Sequence, residues 1–217
     1  MTGKRTLVDE WRGAWRAVGV KKVPPLKPLL DRYREPHRRY HNVDHLRQAL
    51  DSLPATYPRD PRVVLALFYH DAVHGTDPAA QDEATSYVLW MHAASETHAP
   101  LKVLVDVGGA VLSTSHLRKS VHGGDLMVQL ATQDADLSIL GASQTGYQVY
   151  ADRIRAEYPN VSNEAFRAGR SKVLLYLLAL PSIFQTDGYK HLEPLARRNL
   201  ADEVYRLAFP KAGPYAS

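Results

Sequence analysis

The sequence contains no cysteine. That single absence excludes a disulfide framework, a thiolate zinc site, an iron–sulfur cluster and a cysteine nucleophile, and it fits a reducing, cytoplasmic setting. Charge of one sign is also scarce. The 27 Lys and Arg residues against 23 Asp and Glu leave a net charge of +4, without a long run of like charge, so no basic arm for nucleic acid is expected. Long apolar runs are missing too. The longest, residues 173–181 (VLLYLLALP), is far too short to cross a bilayer and reads as a buried helix. The N-terminal stretch MTGKRTLVDEWRGAW has no apolar segment of the signal-peptide kind. Neither secretion nor a membrane partner is predicted. There is no P-loop, no dinucleotide-binding glycine motif and no GxSxG elbow. The pairs Gly108-Gly109 and Gly123-Gly124 read as helix ends rather than phosphate cradles.

What remains is an ordinary apolar fraction of 45% over 217 residues, enough for one domain spanning residues 1–217. Strand signals are nearly absent, and the punctuation is that of helices. Thr6 and Asp9 can form a capping box opening a helix to about residue 20. Residues 21–36 hold four prolines and read mostly as a connector. Asn42 caps a helix to about residue 53, and Asp60-Pro61 opens one to about residue 74. Further helices are expected near 81–95, 99–115, 122–132, 145–158, 163–180 and 192–208. The predicted class is all-α.

Histidine is abundant and unevenly placed. Seven of the ten lie between residues 37 and 98. In residues 63–74, VVLALFYHDAVH, apolar side chains point all round a helix, which marks it as buried. Stepped at about 100° per residue, His70, Asp71 and His74 share roughly 100° of arc. A buried ionised carboxylate costs several kcal/mol, on the order of a lost core side chain, unless it is partnered. One reading is a hydrogen-bonded core Asp–His pair; the sharper one is a divalent metal held by His70 and Asp71. His41 and His45, flanking the Asn42 cap, form a second pair and a candidate second wall of the same site. The HxxxH spacings lack the glutamate a zinc peptidase needs after its first histidine. His92, among apolar neighbours, reads as a core histidine.

Together these motifs resemble the HD superfamily, which consists mostly of metal-dependent phosphohydrolases. Tyr40-His41-Asn42-x-x-His45 is similar to the YHNxxH element of its cyclic-nucleotide phosphodiesterases, His70-Asp71-x-x-His74 to their HDxxH element, and Ala135-Asp136-Leu137-Ser138 to the segment bearing their last metal-ligating Asp. The longer pattern (RRYHNVDHL, ALFYHDAVHG, LSTSHL, DADLSILG, ARRNLADE) resembles a branch of predicted HD phosphohydrolases, from about residue 33 to 203.

The resemblance implies an HD-type all-α helical bundle and one or two divalent ions from among Mn²⁺, Fe²⁺, Mg²⁺ and Zn²⁺. It implies His45, His70, Asp71 and Asp136 as primary ligands, with Asp134 the rival of Asp136. Glu83 and His116 are the candidates for a second ion. His41 is implied as the general acid, with Asp71 able to bridge to a second ion and His74 beside them, near a bridging water or the substrate. Arginines suit phosphate because they bind it bidentately; Arg38, next to the His pair, leads, followed by Arg170 and Arg197. The expected partner is a small phosphorylated substrate, above all a nucleotide, with a homo-oligomer open. Two other readings stand beside this one: an HD-type di-iron oxygenase, and a non-catalytic nucleotide- or metal-binding sensor.

Overall fold

A computed structural model describes residues 5–54, 59–75, 81–115 and 123–210. Among them the protein is all-α, with ten α-helices, two short 3-10 turns and no strand. None of these helices is long and apolar enough to cross a membrane. The chain divides into two compact units, Met1–Asp136 and Leu137–Ser217.

The first unit contains α1 (Leu7–Ala17), α2 (Lys27–Arg32), α3 (Val43–Ser52), α4 (Pro61–Tyr69), α5 (Asp82–Glu96), α6 (Leu101–Ser113) and α7 (Leu126–Leu137), whose last residue opens the second unit. Helix starts follow the expected side-chain chemistry. Thr6 Oγ1 accepts from Asp9 N and Asp9 Oδ2 from Thr6 N, both at 3.1 Å, completing the capping box. Asn42 Oδ1 accepts from Asp44 N at 2.8 Å, and Asp60 Oδ1 from Arg62 N at 2.8 Å. Helix α2 lies inside the proline-rich connector, with Pro28 in its first turn, where a missing N–H costs nothing.

Helix α4 is the centre of this unit and packs against α1, α3, α5 and α6. Each residue from Val63 to Tyr69 is buried, as an apolar surface on all sides requires. Trp11 meets Phe68 edge-on (5.0 Å between centroids), Trp15 stacks on Trp90 (5.4 Å), and Trp90 meets Tyr69 (5.3 Å).

The helix ends earlier than its sequence pattern suggests, at Tyr69 rather than His74. Side chains capture its last carbonyls: Leu67 O lies 2.7 Å from His70 Nδ1, and Phe68 O accepts from Tyr33 Oη at 3.1 Å. The His70-Asp71 dipeptide therefore sits in the turn that closes α4. Gly108 and Gly109 are not helix ends. They lie buried inside α6, where a Cβ at 108 would come within 2.7 Å of the Tyr87 ring and one at 109 within 1.9 Å of Gly123 O. Close packing, not a turn, requires glycine there. Helix α7 runs on to Leu137, past its expected end, and so carries both Asp134 and Asp136.

The second unit holds a 3-10 turn (Ser138–Gly141), α8 (Gln144–Glu157), α9 (Asn163–Ala179), a second 3-10 turn (Lys190–Leu192) and α10 (Glu193–Ala208). Helix α10 packs on α9 and on the first 3-10 turn, and Asn199 Nδ2 donates to Leu140 O and Ala142 O, each at 2.8 Å. The VLLYLLALP stretch is buried on one side only: Leu174 and Leu177 are covered, whereas Leu175 is 52% exposed.

Candidate metal centre

Three separate segments of the first unit deliver four donor groups to one place. Helix α3 brings His45 from its first turn, the turn after α4 brings His70 and Asp71, and α7 brings Asp136. His45 Nε2 and His70 Nε2 are 3.1 Å apart. Asp136 Oδ1 lies 3.1 Å from the first and 3.4 Å from the second. Asp71 Oδ2 lies 3.3 and 3.1 Å from the same two nitrogens. Both imidazoles are buried, while the two carboxylates keep 18% and 16% of their side chains exposed, Asp71 and Asp136 respectively.

The donor chemistry fits a divalent cation. Leu67 O can only accept, so a neutral His70 carries its proton on Nδ1 and turns the Nε2 lone pair into the cluster. Asp71 Oδ2 is buried and accepts no hydrogen bond of regular geometry among the described residues, although both Nε2 atoms face it. Two lone-pair nitrogens in contact with each other and each with both carboxylate oxygens need a shared positive charge. With protein groups alone, protons supply it. Burial opposes charge on His45 and His70, but Asp136 and Asp71 outweigh it, leaving His45 raised and His70 held well above the ordinary imidazole range. Burial likewise opposes charge on Asp71, yet the neighbouring His70 and His41 bring its carboxyl well below the usual value.

Helix α7 decides between the two acids of DADLS. Residues two apart on a helix diverge by roughly 200°. Asp134 is fully buried, and Asp136 is the one facing the imidazole pair.

The other expected residues divide. His41 is half-buried next to the cluster, its ring 5.7 Å from that of His45 and 3.8 Å from that of His74. Tyr40 packs its ring 4.7 Å from His45. Arg38, expected to reach for phosphate, is buried and donates to backbone instead: to Asp71 O (2.6 Å), His41 O (3.2 Å) and Ala72 O (3.2 Å). Glu83 lies in the first turn of α5 and is not among the groups converging with His45 and His70. His116 lies outside the described residues. His92 is not a core residue; its side chain is 70% exposed and faces Glu96 at 3.5 Å.

In the second unit Arg170 is enclosed by Glu203 (2.9 and 3.1 Å) and Tyr150 Oη (3.1 Å). Arg197 donates to Glu193 (2.7 Å) and to the carbonyls of Leu178 and Leu180 (2.9 and 2.7 Å). Both guanidinium groups are engaged by protein acceptors within that unit.

Comparisons with protein-family models, with curated proteins and with solved structures find no match.

Three residues escaped sequence reasoning. Tyr33, in the proline-rich connector, closes α4. Ser86 Oγ accepts from Val73 N at 2.9 Å, and Asp82 Oδ2 from Gly75 N at 2.7 Å, fixing the segment after the HD pair. No periodicity marks such contacts; only the hydroxyl and carboxylate types hint at them.

Proposed function

We propose that this protein is a metal-dependent phosphohydrolase acting on a small phosphorylated compound, above all a nucleotide. The observation that carries the reading is the buried convergence of His45, His70, Asp71 and Asp136 within 3.1–3.4 Å of one another's imidazoles, with His41 at its edge. The motif resemblance to HD phosphohydrolases points the same way. His45, His70, Asp71 and Asp136 would hold one divalent ion, which supplies Lewis-acid neutralisation of phosphoryl oxygen and acidifies water.

The chain's own groups do the rest. His70, locked by Leu67 O, keeps one tautomer. Tyr40 and the Asn42 cap hold His41 and His45 on adjoining backbone. His41 is partly exposed, and an imidazole in that place can donate a proton to a departing oxygen.

The test is a panel of phosphomonoesters, cyclic nucleotides and nucleoside triphosphates, screened with Mn²⁺, Mg²⁺, Fe²⁺ and Zn²⁺. Turnover of at least one class, lost in Asp71→Ala, supports the reading. Metal binding with no turnover of any class would leave a sensor. Oxygen uptake with an iron-loaded protein would favour the oxygenase. His41→Ala should keep the ion but lose on the order of 100-fold or more in turnover of unactivated esters. It should lose far less with an aryl phosphodiester whose leaving group needs no proton.

A further inference from the structure

We infer that Arg38 is a positioning residue that fastens the proton-donor segment to the metal-ligand turn, rather than a phosphate anchor. The inference rests on the proposed reaction and adds to it. The Arg38 guanidinium bridges the His41 and Asp71 carbonyls, on two separate stretches of chain. On one side it takes the carbonyl of His41, the candidate proton donor (3.2 Å). On the other it takes the carbonyls of Asp71 (2.6 Å) and Ala72 (3.2 Å), in the turn that carries the candidate ligands. Its Nε donates to Glu35 Oε2 at 3.0 Å, so the buried cation keeps a counter-charge. The guanidinium lies over the Tyr33 ring, 5.3 Å from its centroid, and Tyr33 Oη in turn donates to Phe68 O, the last turn of α4.

Two consequences follow. The planar fork is matched to three carbonyls at once, which a lysine ammonium cannot reproduce. The donors are also engaged by backbone, so an arriving phosphate would have to break contacts that hold the site together. The Tyr33–Arg38 stack thus sets the His41-to-Asp71 spacing, and a shift of about 1 Å in such a spacing can cost on the order of 100-fold in rate.

The experiment compares wild type, Arg38→Ala, Arg38→Lys and His41→Ala by amide hydrogen exchange, Mn²⁺ stoichiometry and turnover of an alkyl and an aryl phosphodiester. In Arg38→Ala, exchange should rise together in residues 37–45 and 69–75, while α1 and α6 keep their protection. Mn²⁺ should stay near the wild-type stoichiometry. Alkyl ester turnover should fall about 10- to 100-fold and aryl ester turnover much less, the same leaving-group signature as His41→Ala. Arg38→Lys should show the same pattern, and it carries the measurement if the alanine variant does not fold.

Exchange rising in only one of the two segments, or across the whole unit, would overturn the clamp. So would equal losses on both esters, or a raised KM with kcat unchanged, which would return Arg38 to phosphate binding. If wild type hydrolyses neither ester, the reaction reading fails, and the paired exchange change alone decides whether Arg38 joins the two segments.

Discussion

Asp134 and Asp136 stand two residues apart in sequence and in different surroundings. Asp134 is fully buried within the unit, whereas Asp136 puts Oδ1 at 3.1 Å from His45 Nε2. The two positions should therefore fail differently. Asp136→Ala should abolish high-affinity Mn²⁺ binding with modest loss of metal-free stability. Asp134→Asn should keep the ion but lose about 1–3 kcal/mol, the cost of upsetting a buried polar group. Calorimetric titration and denaturant unfolding separate the two, and metal binding retained in Asp136→Ala would remove that residue from the ligand set. The same scale explains Arg38. Its charge and its place beside the His pair suggest substrate, but which of its neighbours present carbonyls cannot be read from residue types.

At the scale of elements, α6 shows how packing overrides the usual meaning of a residue. A Gly-Gly pair suggests a break, yet here the helix continues, with Gly108 admitting the Tyr87 ring and Gly109 a neighbouring backbone. Gly109→Ala would place a methyl where Gly123 O already stands. We expect it to cost about 1–3 kcal/mol, as overpacking does, despite the better helix propensity of alanine. A rise in Tm would contradict this.

Helix starts in the same region are tied by charge. Arg62, next to the Asp60 cap of α4, donates to Asp106 of α6 (2.6 Å) and to Asp125 just before α7 (3.0 Å). Lys102 adds a contact to Asp106 at 2.9 Å. Burial pushes the Asp106 carboxyl up, but Lys102 and Arg62 outweigh it and hold it below the usual value; Asp125 is lowered likewise by Arg62 against its burial. A depressed folded pKa means stability that is present above the unfolded value, about 3.9, and lost as pH falls through the folded one. Asp106→Asn should thus be less stable than wild type at pH 7, with the deficit in Tm shrinking as pH drops below about 4. A deficit independent of pH would show that packing, not charge, matters at this position.

For the whole molecule, the consequence of the cluster is a long-range link. Its donors lie at positions 45, 70–71 and 136, so one ion would close long loops of the first unit and oppose unfolding. Binding to the folded state alone at about 100 times Kd stabilises by roughly 2.7 kcal/mol. Mn²⁺ should therefore raise Tm, a chelator should reverse the rise, and Asp136→Ala should respond to neither. No metal-dependent shift in wild type would speak against a bound ion.

The all-α class, nearly all helix positions, the Thr6, Asn42 and Asp60 caps and the burial of α4 were determined by the sequence itself. Capping and periodicity are local, set by residues within a turn or two of one another. The His70-Asp71 pair was legible for a related reason: charged groups inside an apolar run demand a partner. The motif resemblance named His45 and Asp136 among those partners, with Asp134 the rival of Asp136, and tertiary structure decided how they are arranged. It selected Asp136 over Asp134 through the rotation of α7, and it ended α4 at Tyr69 through Tyr33 and His70. It turned the Arg38 guanidinium onto carbonyls, exposed His92 and kept the two glycines inside α6. Each of these depends on where a distant backbone atom lies, and that position is fixed only when the helices pack.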